Sequence, residues 1–277
     1  MNSLKIDNLE VSTAASYNEL SRYQLLELCK QLTVDAKDLR FKLVMILLKA
    51  KRGWFKTPKV VKVLKTLPTG YMQYLAFDDA VTGWIFKPAQ LSAYKLKDFK
   101  YWFTKYYGPA NDILDINVAE FIEVSMYYGA YMASIKADAV KPELLDKMIA
   151  VLYRPGKWFY AIRKLLPNFE LDKRQRNNTY RFEKRCAAFR NLKPEIKLAI
   201  FLQFEGAMEK FALDFPNAFG SQGEGNDTNG WIGLLMEMSN DIFGDYEKTQ
   251  SVDIFTFFTK VDKNIKNAKD LKAKTEK

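Results

Sequence analysis

Apolar residues recur along most of this chain at the three-to-four-residue spacing that gives a helix one buried face. Ser16 and Glu19 stand at a capping-box spacing, in which each side chain satisfies the other residue's free backbone N–H, and Leu20, Tyr23 and Leu28 follow on one face. This predicts a first helix over about 17–32. Asp35 opens a second, with Leu39, Leu43, Ile46 and Leu47 aligned, which ends near Gly53. Thr57-Pro58 starts a short helix through Leu67, before Pro68 and Gly70 break the pattern. From 71 to 94 the period is lost. Aromatic and β-branched residues cluster there around Thr82-Gly83, which predicts a small irregular or β-hairpin insertion.

Helical spacing then returns. Asn117 and Glu120 repeat the cap spacing ahead of Phe121, Val124, Ser125 and Tyr128, which predicts a helix over 118–136. Pro142 begins a helix through Leu152, and Pro155-Gly156 ends it, with a subdomain boundary near 155. Pro194 begins another, through about Leu213. The stretch FGSQGEGNDTNG at 219–230 has the composition of a flexible loop. Beyond it, Trp231–Phe243 reads as a helix stopped by Gly244, and Ser251 caps a last helix carrying Ile254, Phe255, Phe258 and Val261. The sum is an all-α fold: a bundle of about eight to ten helices, with a helical domain over 1–218 and a C-terminal helical module over 229–277.

Composition narrows the chemistry. The chain has 277 residues and no histidine, which removes the commonest general base and the commonest metal ligand, and with them Ser-His-Asp and Cys-His catalysis. Its two cysteines, Cys29 and Cys186, fit no metal spacing or disulfide framework and suit a reducing compartment. No N-terminal secretory pattern is present, and the longest aliphatic run, Leu43–Leu48, is far short of the roughly 20 residues that span a bilayer. A cytoplasmic protein with no membrane partner, no cofactor, no metal and no catalytic residue is the expectation.

A formal charge of +10 points to acidic partners. Lys173, Arg174, Arg176, Arg181, Lys184, Arg185 and Arg190 are interleaved with Tyr180, Phe182 and Phe189, a pattern suited to phosphates and stacked bases, or to a solvated basic face. Lys49, Lys51, Arg52, Lys56, Lys59, Lys62 and Lys65 form a second stretch, better read as the exposed face of the 57–67 helix. The loop Gly220–Gly225 lacks the Gly-Lys-Ser/Thr of a phosphate cradle. Asp78-Asp79 and Asp112–Asp115 sit beside turn residues, where Asp accepts local backbone hydrogen bonds. Of the aromatic runs, Tyr101, Trp102, Phe103, Tyr106 and Tyr107 read as core or as an interface. Phe257 falls off the stripe of Phe255 and Phe258, so the last helix, with Trp231, is a candidate partner surface.

Four blocks, YYGPANDIL (106–114), NVAEFIEVSMYYGAYM (117–132), LLDKMIAVLYRP (144–155) and GWIGLLMEMSNDIFGDYEKT (230–249), resemble tail-assembly or tail-associated proteins of phages and prophages of Bacteroides-like bacteria. The match rests on Tyr107, Gly108, Glu120, Tyr153, Arg154, Pro155, Trp231 and Gly244, and it brings no catalytic residue. The resemblance implies a non-enzymatic protein of the host cytoplasm or the virion that contacts other tail or virion proteins, as an assembly chaperone or a structural component. Partner contacts would use Trp231, Phe255, Phe257 and Phe258. The alternative is a nucleic-acid-binding protein using the basic patch 173–190. Oligomeric state is left open, an oligomer being compatible with either reading.

Overall fold

A computed structural model describes residues 2–6, 9–34, 38–48, 68–87, 90–157, 172–220, 230–239 and 243–275. The expected helix at 57–67, the basic stretch Lys49–Lys65, Asp35 and most of the 219–230 loop lie outside the described residues. The protein is mostly helical, with eleven α-helices among the described residues and small antiparallel sheets. No helix of the described residues is long and apolar enough to cross a membrane. The chain divides into two compact units, one of residues 1–96 and 193–207, the other of 97–192 and 208–277.

The first unit holds the hairpin β1 (Asn2–Ile6) and β2 (Leu9–Thr13), the helices α1 (Arg22–Leu32), α2 (Leu39–Leu48) and α3 (Thr69–Phe77), and the beginning of α7 (Pro194–Asp214). The capping box forms one turn later than expected. The Ser21 hydroxyl accepts from the Gln24 N–H at 3.3 Å, and the Gln24 side chain accepts from the Ser21 N–H at 3.0 Å. Glu19 instead takes the Ala15 N–H at 2.7 Å and closes a 3-10 turn at Tyr17–Glu19. That turn buries Tyr17, whose hydroxyl donates to the Ile85 carbonyl at 2.6 Å while its ring meets Trp84 edge-on. The segment 71–94 starts as helix, because α3 covers its first residues; the remainder is irregular around a 3-10 turn at Gly83–Phe86. On α7, Gly206 lies so close to Leu91 that an added Cβ would stand 2.3 Å from the Leu91 nitrogen.

In the second unit, strands β3 (Asp98–Tyr101) and β4 (Thr104–Tyr107) pair as a hairpin, and β4 also pairs with β5 (Arg154–Pro155). The helices are α4 (Val118–Lys136), α5 (Pro142–Leu152), α6 (Thr179–Phe189), the end of α7, α8 (Pro216–Gly220), α9 (Gly230–Met238), α10 (Tyr246–Ser251) and α11 (Ile254–Thr275). Both α4 and α5 start and stop where the spacing predicts. Asn117 caps α4 by accepting the Glu120 N–H at 2.9 Å, and Pro142 supplies the first residue of α5. Asp253, not Ser251, caps the last helix by accepting the Thr256 N–H.

The break signals misplace the division of the chain. Pro155 and Gly156 do stop α5, but they then pair with β4 and with Arg174, so the chain stays in the unit there. The C-terminal helices are likewise built into it. Val118 N–H donates to Val252 O, Ile254 N–H donates to Ile116 O, and Phe258 meets Phe121, Phe211, Phe215 and Trp231 ring to ring.

Gly206→Ala pushes a methyl into the Leu91 backbone and lowers stability by on the order of 1–3 kcal/mol. Gly129→Ala, mid-helix in α4 with nothing within 4 Å, raises it by up to about 1 kcal/mol. Denaturant midpoints check both.

Candidate functional site

The second unit is organised around guanidinium groups taken almost wholly out of water. Arg154 and Arg174 are each only 1% exposed. Strand β5 points Arg154 at α4, where its Nη1 meets Glu120 Oε1 at 2.6 Å. The expected capping box at Asn117 is therefore half made: the Glu120 carboxylate faces arginine instead of turning back to the cap. Arg174 donates Nε to Asp172 at 2.9 Å, Nη1 to the Leu152 carbonyl and Nη2 to the Asp115 carbonyl, and lies 3.6 Å from the Asp115 and Glu120 carboxylates.

A third guanidinium, Arg185 of α6, is also buried. It donates Nε to the Ala150 carbonyl at 3.0 Å and Nη2 to Asn177 at 2.6 Å, and Asn177 in turn donates to Glu123 at 3.0 Å. Arg154, Arg174, Glu120, Glu123 and Asn177 border a cleft of about 900 Å³.

Burial shifts each group in a definite direction. Desolvation lowers the Arg154 pKa; Glu120 opposes this and the Arg174 charge adds to it. Desolvation would lower Arg174 too, but Asp115, Glu120 and Asp172 together outweigh it and hold its pKa up. Glu123 is raised, first by desolvation and then by the charge of Glu120. Arg154 has an incomplete set of partners, since its Nε and Nη2 make no hydrogen bond among the described residues, although Nη2 lies 3.5 Å from Asp172. The physical effect of the cluster is to tie α4, β5, the 172–177 segment and α6 into one body, because a guanidinium buried without its carboxylates is strongly unfavourable.

Of the predicted nucleic-acid residues, Arg174 and Arg185 thus face inward, which corrects their assignment to a surface patch. Lys173, Arg176, Arg181, Lys184 and Arg190 are exposed; Arg181 bonds Gln175 at 2.6 Å and Lys184 lies over the Tyr180 ring. Of the predicted partner-binding residues, Phe257 and Phe258 are buried and Trp231 is half-buried against Phe121, Phe219 and Phe258. Phe255 remains 47% exposed, leaning on Phe215. The expected inward stripe is therefore off by one position: Ile254, Phe257, Phe258 and Val261 face the core and Phe255 faces out.

Asp78 accepts the Ala80 N–H, Asp115 accepts the Ala110 N–H, and Asp112 pairs with Lys210 at 2.7 Å, so these carboxylates serve turns and ion pairs. Cys29 is buried, which pushes its thiol up to about 12, and Cys186 is pushed up to about 11 by desolvation and Glu183, so neither is a thiolate at neutral pH. No group of three His, Cys, Asp or Glu among the described residues could hold a metal ion.

Sequence reasoning missed the arginine network as a unit because its members lie 59 positions apart at the widest bonded pair, Asp115 to Arg174, and no local spacing links them. Its only traces were Glu120 at a cap spacing and Arg154 ahead of a proline.

No family model, curated protein or solved structure matches the chain.

Glu120→Ala strands Arg154 and costs roughly 3–5 kcal/mol, whereas Glu120→Leu with Arg154→Met loses clearly less than the sum of the single changes; a denaturant double-mutant cycle measures the coupling. Glu123 titrates with a raised folded pKa, so the stability its proton brings is complete below the unfolded pKa and is lost as pH rises through the folded one. Glu123→Gln therefore gains on the wild type in denaturant midpoint as pH rises above about 4.

Proposed function

We propose that the chain is a non-enzymatic phage protein that acts in tail assembly through protein–protein contacts, as an assembly chaperone or a virion structural component in the host cytoplasm. The observation that carries the reading is the convergence of the four resembling blocks. They are scattered over 144 positions of sequence, 106 to 249, yet their described residues fold into one unit, where several of the residues that carry the resemblance meet. Tyr107 pairs with Arg154, and Arg154 meets Glu120. An added Cβ on Gly108 would stand 2.5 Å from the Tyr153 ring, and Trp231 packs on Phe121. These contacts are structural ones, and no catalytic constellation is among them.

Partner contact through Phe257 and Phe258 would need the unit to open, so the exposed Phe255 is the residue of the C-terminal set available to a partner. The competing reading, nucleic-acid binding, retains five exposed cations at 173–190.

A tagged pull-down from producing cells, split into nuclease-treated and untreated halves, separates the two. Recovery of tail components in both halves, reduced by Phe255→Ser, is the expected result. Recovery of nucleic acid alone overturns the proposal; that binding would weaken with salt at a log-log slope of about −0.7 to −0.9 per phosphate and fall further with Arg181→Glu and Lys184→Glu.

A further inference from the structure

The β3–β4 hairpin ends in two aromatic side chains that touch no other ring among the described residues. Trp102 is 77% exposed and Phe103 is 92% exposed. Their mounting is rigid. Phe99 and Tyr106, on the face of the hairpin opposite Lys100 and Lys105, stack on each other and meet Phe189, with Tyr153 also against Phe99, and β5 adds a third strand.

The tip itself is built against local preference. A two-residue hairpin turn favours glycine or asparagine where φ is positive, yet Trp102 sits there at φ 52°. A bulky residue in that region is strained by on the order of 1–3 kcal/mol, and such strain persists where the conformation serves a purpose. Directly behind the tip Lys100 faces Lys105 across the strands, a like-charge pairing that disfavours the hairpin. Asp98 takes up Lys105 at 3.0 Å, and Lys100 has no acidic partner among the described residues.

A matching cavity exists in the other unit of the chain. Between α1 and α2 lies a groove of about 460 Å³ walled by Tyr23, Phe41, Met45 and Ile46, with Glu27, Gln31 and Lys42 at its polar positions. That volume is in the range that takes a ligand of two ring systems. Methionine gives its wall an adaptable surface. The Glu27 carboxylate has a single described partner, the Gln31 amide at 3.5 Å, and no cation among the described residues.

We propose that these two features are the halves of one self-association contact: the Trp102–Phe103 tip of one copy seats in the α1–α2 groove of a second copy, with Lys100 against Glu27. The contact is heterologous, joining different surfaces of the two copies, so repetition of it builds chains or rings, and a reciprocal pair builds a dimer. It removes two exposed aromatic rings from water, and tryptophan is among the residues that most often dominate interface energetics. It stands independently of the tail-assembly reading.

Sedimentation of the full chain over a range of concentrations tests it, with far-UV circular dichroism confirming that each variant is folded. The wild type is expected to self-associate. A tip variant (Trp102→Ser, Phe103→Ser) and a groove variant (Glu27→Lys, Met45→Gln) are each expected to weaken association about tenfold or more. Mixing the two variants is the decisive arm. Each retains the half the other lacks, so the mixture forms one-to-one pairs that neither forms alone. Restored pairing in the mixture supports the contact. A wild type that stays monomeric, a tip variant that associates as the wild type does, or a mixture that stays monomeric overturns it. So does a monomer that sediments with phosphatidylglycerol vesicles through its tip, which would give the tip to a lipid surface.

Discussion

The constraint on which the second unit depends is the burial of positive charge. Arg154 and Arg174 are held out of water around the shared Glu120 carboxylate, and each would be untenable without the carboxylates of Glu120, Asp115 and Asp172. Because those carboxylates come from the start of α4, the turn before it and the segment after 171, satisfying two guanidinium groups fixes the mutual positions of elements far apart in sequence. Arg185 extends the same logic to α6 through Asn177 and Glu123. Replacing such a cluster by apolar residues is often harmless or stabilising in other proteins, whereas removing a single partner is strongly destabilising.

Around that polar centre the apolar energetics are aromatic. One cluster, Phe99, Tyr106, Tyr153 and Phe189, seats the hairpin, and another, Phe121, Phe211, Phe215, Trp231 and Phe258, holds the C-terminal helices. Edge-to-face and offset ring pairs are directional as well as hydrophobic, so they favour particular packings over a merely collapsed core. The same hairpin whose Phe99 and Tyr106 pack on Tyr153 and Phe189 presents two exposed rings at its tip. Firm anchoring and exposed aromatics together are the properties of a docking element.

Local signals in the sequence were read well and non-local ones poorly. Asn117 and Pro142 start α4 and α5 because a cap or a first-turn proline acts within a few residues, and those helices run where the spacing predicts. Ser16–Glu19 failed because the same spacing recurs at Ser21–Gln24, and burial of Tyr17 against Ile85 decides between them, a contact 68 positions away. The hairpin fell just past the aromatic stretch expected to hold it, because the Trp102-Phe103 turn carries neither glycine nor asparagine. Phe257 changed sides by one helical position, since neighbouring aromatics on a helix give a stripe whose phase only the partner face settles. The sequence marks Arg174 and Arg185 as cations but not as buried ones, because composition reports charge and not depth.

The Arg154–Glu120 ion pair locks β4, β5 and α4 together. Native-state hydrogen exchange on Glu120→Gln tests it most directly, because it reads each amide while the protein remains folded. The expected result is that the amides of Tyr107 and its neighbours in β4, and of Phe121 at the start of α4, lose protection together while those of α1 in the other unit keep theirs. Unchanged protection in β4 and α4, or a uniform loss across both units, would contradict it.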